Sequence, residues 1–207
     1  CQMIFIHTLT KLSFIIMIHS MNTREQVDTV VKILDEGGVC VVPTDTVYGL
    51  VCNAFNTLAV EKMFHIKRRP KTKPVGLFVS GLEMAKELED IDTEREELIS
   101  KYWPGAVTLI FSAKQYISPL VTPEESIGLR MPNSAFLLDV IERLGRPLAQ
   151  TSANISGKDT PTSAEEIGIA FRDCGEKPNI IIDGGVLQGK PSKILDCRSM
   201  PPKEVRE

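Results

Sequence analysis

Short apolar runs alternate along this chain with stretches whose apolar residues recur at helical spacing. After the capping box Thr23-Arg-Glu-Gln26, Val27, Val30, Val31 and Leu34 fall three to four apart and predict a helix that stops at Gly37-Gly38. Val39–Val42 then reads as a short buried strand. A second helix is predicted from about Leu58 to Lys67, with Val60, Met63 and Phe64 inward, and a strand over Val75–Val79. Thr93-Glu-Arg-Glu96 is a further capping box, opening a helix to Tyr102 that Trp103-Pro104-Gly105 breaks ahead of a strand over Ala106–Phe111. The polar stretch Lys114–Glu125 reads as a loop, and Ile127–Met131 as a strand. Ser134 caps a helix carrying Phe136, Leu137, Val140, Ile141 and Leu144, with Gly145 as its stop. Leu148–Gln150 is a short strand, Ser163-Ala-Glu-Glu166 caps one more helix, and Ile180–Ile182 and Ile194–Asp196 are late strands. Strands and helices alternate without a linker or a repeat, which predicts one α/β domain.

The N-terminus departs from that pattern. Leu12–Ile18 is apolar and follows Lys11, so it reads as an edge strand or as the core of a signal peptide. It is too short to span a bilayer and lacks a small-residue cleavage site. Met21 is a third possibility, as a natural start preceded by an extension. Residues 1–20 are therefore taken as an extension or edge strand and residues 21–207 as the domain. With 43% hydrophobic and 25% charged residues, the chain is neither disordered nor fibrous. A net charge of −3 gives no general attraction to nucleic acid, so an anion site must be a local cluster. The five cysteines form no C-x-x-C pair and the three histidines are scattered, which supports neither a disulfide framework nor a metal site and suggests a reducing, cytoplasmic setting.

Three segments carry candidate chemistry. Pro43-Thr-Asp-Thr-Val-Tyr-Gly-Leu50 follows a strand and sets Thr44, Asp45 and Thr46 at its end, either as a ligand-binding edge or as an ordinary polar turn. Lys67-Arg-Arg-Pro-Lys-Thr-Lys-Pro74 packs five cations beside a helix end that Pro70 must break. It suits the charge of a triphosphate, with solvated surface as the competing reading. Thr151-Ser-Ala-Asn-Ile-Ser-Gly157 offers hydroxyls and backbone N–H groups for a phosphate or a nucleobase, or is a plain surface loop. Arg130 is a candidate partner for a substrate carboxylate or for a structural ion pair. No Walker A motif, no G-x-G-x-x-G and no G-x-S-x-G elbow occurs. Cations and hydroxyls without a nucleophile suit catalysis by positioning and electrostatics, of which adenylyl transfer is one type.

The segments PTDTVYGL, K-x-R-P with K-P, Trp103-Pro-Gly-Ala-Val-Thr108, Ser126-Ile-Gly-Leu-Arg-Met-Pro132 and Ser152-Ala-Asn-Ile-Ser-Gly157 together resemble the YrdC/Sua5 family of threonylcarbamoyl-AMP synthases, from Thr23 to Arg206. The resemblance implies a twisted, mostly parallel or mixed sheet flanked by helices, with a concave basic cleft. It implies synthesis of L-threonylcarbamoyl-adenylate from L-threonine, bicarbonate and ATP, with pyrophosphate released. Mg²⁺ would accompany the ATP, no metal would be held by protein side chains, and the product would pass to a separate threonylcarbamoyl transferase complex that makes t6A37 in tRNA. Lys67 and Arg69 fall on catalytic positions. Lys67, Arg69, Lys73, Ser126, Ser152, Asn154, Thr160 and Arg206 fall on nucleotide-contacting positions, and Thr46, Arg130 and Ser192 on threonine-contacting ones. Lys193 and Phe78 depart from the family pattern, where Thr and sometimes His stand. Because the sequence ends just after Arg206, the short single-domain form is expected. Two other readings stay open: an RNA-binding module using the same cleft, with weak tRNA contact, and a carbamoyl-transfer domain. No membrane partner is implied.

Overall fold

The computed structural model describes residues 16–18, 23–114 and 117–206. Strand β1 (Ile16–Ile18) precedes helix α1 (Thr23–Asp35), whose Val27, Val30 and Leu34 are buried as the spacing predicts. Strand β2 (Cys40–Val42) then turns back into β3 (Gly49–Asn53), a strand the sequence pattern does not predict. Helix α2 (Thr57–Lys67) is capped by Asn56, whose side chain accepts from Ala59 N. It ends at Arg68, in the left-handed region at φ 52°. Strand β4 (Gly76–Phe78) leads to α3 (Leu82–Leu88), a short helix with no side-chain cap, and α4 (Thr93–Tyr102) follows. The cap of α4 is Asp92, which accepts from Arg95 N, rather than the expected Thr93.

Strands β5 (Val107–Ser112) and β6 (Ser126–Arg130) flank the loop that holds a single 3₁₀ turn. Helix α5 (Ala135–Leu144) lies between Ser134 and Gly145 as expected, with Gly145 at φ 63°. Strand β7 (Leu148–Ser152) extends two residues into the predicted polar loop. Helix α6 (Ala164–Ala170) is capped by Ser163, and β8 (Ile180–Ile182), β9 (Lys193–Asp196) and the unpredicted β10 (Lys203–Arg206) complete the chain.

The sheet runs β1-β8-β2-β3-β7-β4-β6-β5-β9-β10. Pairs β1/β8, β2/β8, β4/β6 and β5/β9 are parallel, and the others are antiparallel, so the sheet is mixed rather than mostly parallel. Alternation along the strands divides the core. Val41, Leu50, Cys52, Leu77, Leu109, Leu129 and Ala149 pack on one face with α2 and α6. Cys40, Val42, Val51, Phe78, Leu148, Ile180 and Ile182 pack on the other with α1 and α5. Helices α1 and α5 cover the β8-β2-β3-β7 part of that second face and reach Phe78 of β4 at its edge. The stretch from β7 to β9 is left open. Among the described residues no helix is long and apolar enough to cross a membrane.

Candidate active site

A cleft of about 200 Å³ occupies the open stretch. Its floor follows from the register. Gln150 of β7 pairs with Gly76 of β4, and a Cβ on Gly128 of β6 would stand 3.8 Å from Gly76 Cα. With no side chain at either glycine, the sheet is hollowed there. Thr44, Thr46, Arg69, Phe78, Thr108, Arg130, Ser152 and Ser192 contribute to the walls, and no lining residue is acidic.

At one end stands a buried polar corner. Thr44 Oγ1 donates to Val47 O (2.7 Å), accepts from Thr46 N (3.0 Å) and lies 3.0 Å from Thr46 Oγ1. Arg130, whose side chain is 3% exposed, donates from Nη1 to Thr46 Oγ1 (3.3 Å), from Nε to Gly105 O (2.9 Å) and from Nη2 to Asp45 Oδ1 (2.6 Å). Asp45 Oδ2 also accepts from Asn133 N (3.1 Å). Burial lowers the Arg130 pKa and the Asp45 charge opposes that, and a guanidinium stays charged at such a site. The ion pair anticipated as an alternative for Arg130 is therefore present. It leaves two of the five guanidinium N–H groups for a ligand. Tyr48 fixes the turn from behind: its hydroxyl accepts from Gly184 N (2.9 Å) and donates to Gly185 O (2.7 Å). A Cβ on Gly184 would fall 2.5 Å from Pro43 Cβ, and one on Gly189 would fall 2.0 Å from Thr46 O, so both approaches need glycine.

At the other end the two cations of the K-x-R-P run diverge. Lys67 is 2% exposed and does not line the cleft. Its ammonium donates to Ser152 O (2.5 Å), Asn154 Oδ1 (2.6 Å) and Asn154 O (3.0 Å), with Ser152 Oγ at 3.3 Å. Burial first, and the Arg69 charge second, lower its pKa to about 7. Ser156 N donates to Lys67 O and Asn154 Nδ2 to Lys158 O, so the end of α2 and the polar loop are stitched together. Arg69 instead faces the cleft, with Nε and Nη2 on the carbonyls of Lys73 and Pro74 (both 2.7 Å).

Of the remaining candidates, Lys73, Ser126, Thr160 and Arg206 lie outside the lining and Ser192 within it. Lys73 is exposed, Ser126 donates to Pro123 O (2.7 Å), and Thr160 is half-buried at the rim of the loop after β7. The backbone of Arg206 pairs with Ile194, a lining residue, across β10 and β9. Ser192 shares a 3.0 Å hydrogen bond with Thr108. Sequence reasoning missed Thr108 and Gln150. Their signal was a polar residue alternating with buried apolar ones inside a strand, Thr108 before Leu109 and Gln150 after Ala149. Among the described residues no group of three His, Cys, Asp or Glu is placed to hold a metal ion.

The family model for Sua5/YciO/YrdC, described as telomere recombination, matches residues 32–207. The chain is 34% identical over 194 residues to the threonylcarbamoyl-AMP synthase of Pyrococcus abyssi, covering 90% of this chain and 56% of that protein. It is 35% identical over 202 residues to the threonylcarbamoyl-AMP synthase of Bacillus subtilis, covering 95% of this chain and 58% of that protein. Among solved structures, P. abyssi Sua5 complexed with L-threonine superposes with a TM-score of 0.84 at 33% identity, over 92% of this chain and 57% of that one. The chain thus spans somewhat over half the length of these curated relatives.

Proposed function

The chain belongs to the Sua5/YciO/YrdC family, and on that premise we propose that it makes L-threonylcarbamoyl-adenylate from L-threonine, bicarbonate and ATP. The observation that carries this reading is a single cleft with a fixed Arg130–Asp45–Thr46 corner at one end and Arg69 with Ser152 at the other. Two unlike anions can be held there at once. The threonine carboxylate takes the two remaining Arg130 N–H groups, with Ser192 beside it, and Thr46 meets the amino-acid backbone. The triphosphate lies against Arg69 and Ser152, and Lys67 acts through Ser152 and Asn154. Lys73, Ser126, Thr160 and Arg206 complete the nucleotide side. The lining offers arginines and hydroxyls but no carboxylate, so we assign Mg²⁺ to the phosphates of ATP, where it would offset charge on the departing pyrophosphate.

The amine of threonine adds to the carbon of bicarbonate with loss of water, giving a carbamate. A carbamate oxygen then attacks the α-phosphorus as the bond to the bridging oxygen of pyrophosphate breaks. The protein supplies orientation and charge rather than a nucleophile. The product would pass in the cytoplasm to the transferase complex that completes t6A in tRNA. Pyrophosphate release from ATP in bicarbonate buffer tests the reading. Strict dependence on L-threonine is expected; release without threonine would contradict it, as would silence accompanied by salt-sensitive tRNA binding.

A further inference from the structure

The register of the open sheet sorts the cleft into three levels. Phe78 and Arg130 pair across β4 and β6 at the first. Gln150 and Gly76 pair at the second, where Gly128 stands alongside opposite Ile110. Ser152 lies two residues along β7 at the third, with Gly49 as its partner on β3. Successive same-face positions on a strand are about 7 Å apart, so Arg130 and Ser152 leave the backbone at levels roughly 13 Å apart, with the second level between them. The second level lies on the strand leading into Ser152, within the one cleft that Arg130 and Ser152 both line.

That middle level is nearly bare of hydrogen-bonding groups. Gly76 and Gly128 supply none. Thr108 turns its methyl toward both glycines, 3.4 Å from a Cβ on Gly128, while its hydroxyl is engaged with Ser192. Gln150 is the exception. Its Nε2 stands 3.0 Å from where a Cβ of Gly76 would be, so the carboxamide lies over the hollow, and it lines the cleft. Its side chain makes no hydrogen bond with any described residue. At the two ends, by contrast, Thr44, Thr46, Arg130, Ser192, Arg69, Lys67 and Ser152 are all engaged in hydrogen bonds.

We propose that Gln150 contacts the carbamate formed on the substrate amine, at the centre where the amino acid and the nucleotide join. A secondary carbamate carries an N–H and an anionic oxygen on one edge, and a carboxamide presents an acceptor and a donor in matching order. The amide oxygen takes the carbamate N–H, and the amide N–H₂ donates to one carbamate oxygen. The other oxygen is left to attack the α-phosphorus, displacing pyrophosphate with its bonding pair. Gln150 is thus a catalytic residue that holds the nucleophile in plane, and it takes bicarbonate-derived carbon rather than ATP or threonine as its partner.

This inference rests on the synthase reading, and the test separates the two. Gln150→Met keeps the length and volume over Gly76 and removes both hydrogen bonds. With Gln150→Met folded as the parent by circular dichroism and melting, kcat/KM for bicarbonate is expected to fall about 10- to 100-fold. KM for ATP and for threonine should move by no more than about threefold. An active parent together with an equally active Gln150→Met overturns the role of Gln150 alone, leaving it as a space-filler above Gly76. A uniform rise in all three KM values also overturns it, since that is the mark of a distorted cleft. A parent silent with threonine, bicarbonate and ATP overturns the synthase reading, and the carbamate contact with it.

Discussion

One face of one sheet is used in two ways. From β8 to β7 the outward residues are Ile180, Ile182, Cys40, Val42, Val51 and Leu148, large or apolar, and α1 and α5 lie on them. From β7 to β5 the same face presents Gln150, Ser152, Gly76, Gly128 and Thr108, and among the described residues no helix covers them. The backbone hydrogen bonding is continuous across the boundary, so side-chain size and polarity alone decide which half is core and which is cleft. Apolar area attracts a helix because its removal from water stabilises the fold; a strip of glycine and hydroxyl offers a helix nothing comparable. Phe78 stands on the seam, packed in the covered cluster yet lining the cleft, with its ring 5.5 Å from the Arg130 guanidinium. A histidine at that position would put a polar group against the arginine, so Phe78 favours holding Arg130 by packing and by the face of the ring.

The contrast is broken most severely from the covered side. Leu137→Ala in α5 removes a fully buried side chain and should cost about 2–5 kcal/mol in denaturant unfolding, with the activity of the folded fraction unchanged. Gly128→Leu should do the reverse. Its Cβ meets only Thr108 and the neighbouring strands at ordinary contact distances, so the fold survives while the added side chain fills the hollow. A loss of turnover of about 100-fold, near 2.7 kcal/mol, is expected with melting little altered. Arg69→Ala, at the half-buried mouth, should lower kcat/KM for ATP by about 10- to 100-fold through lost phosphate contacts.

Lys67 gives a pH test. Folding lowers its pKa from 10.5 to about 7, so between those values the unfolded chain binds a proton that the folded chain has released. Folding stability should therefore rise with pH across that window. Melting from pH 7 to 9 should show this gain in the parent and not in Lys67→Arg, which stays charged; equal slopes would contradict it. The smallest effect is expected at Lys73, an exposed side chain, where alanine should shift stability by less than about 0.5 kcal/mol.

The covered half was the legible one. Apolar spacing located α1, α2 and α5, and Ser134 with Gly145 bounded α5 to the residue, because those patterns record burial directly. Elements with weaker signals were lost. Helix α3 has no capping side chain, β10 follows two prolines and is charged, and β3 is an apolar run masked by the turn that precedes it. In the cleft, motif residues were legible as types but not as neighbours. The cation run gives no sign that Lys67 turns inward to the Ser152–Asn154 carbonyls while Arg69 turns to the cleft. That division depends on the left-handed Arg68 and on a loop more than 80 residues away in sequence. Gln150 was invisible because its importance lies in the emptiness of the two glycines beside it.

The most direct measurement is a mass-spectrometric assay of the adenylate formed from ATP, L-threonine and ¹³C-labelled bicarbonate. The account predicts threonylcarbamoyl-adenylate carrying the label, formed with an equal amount of pyrophosphate. ATP turnover that yields no labelled adenylate would contradict it.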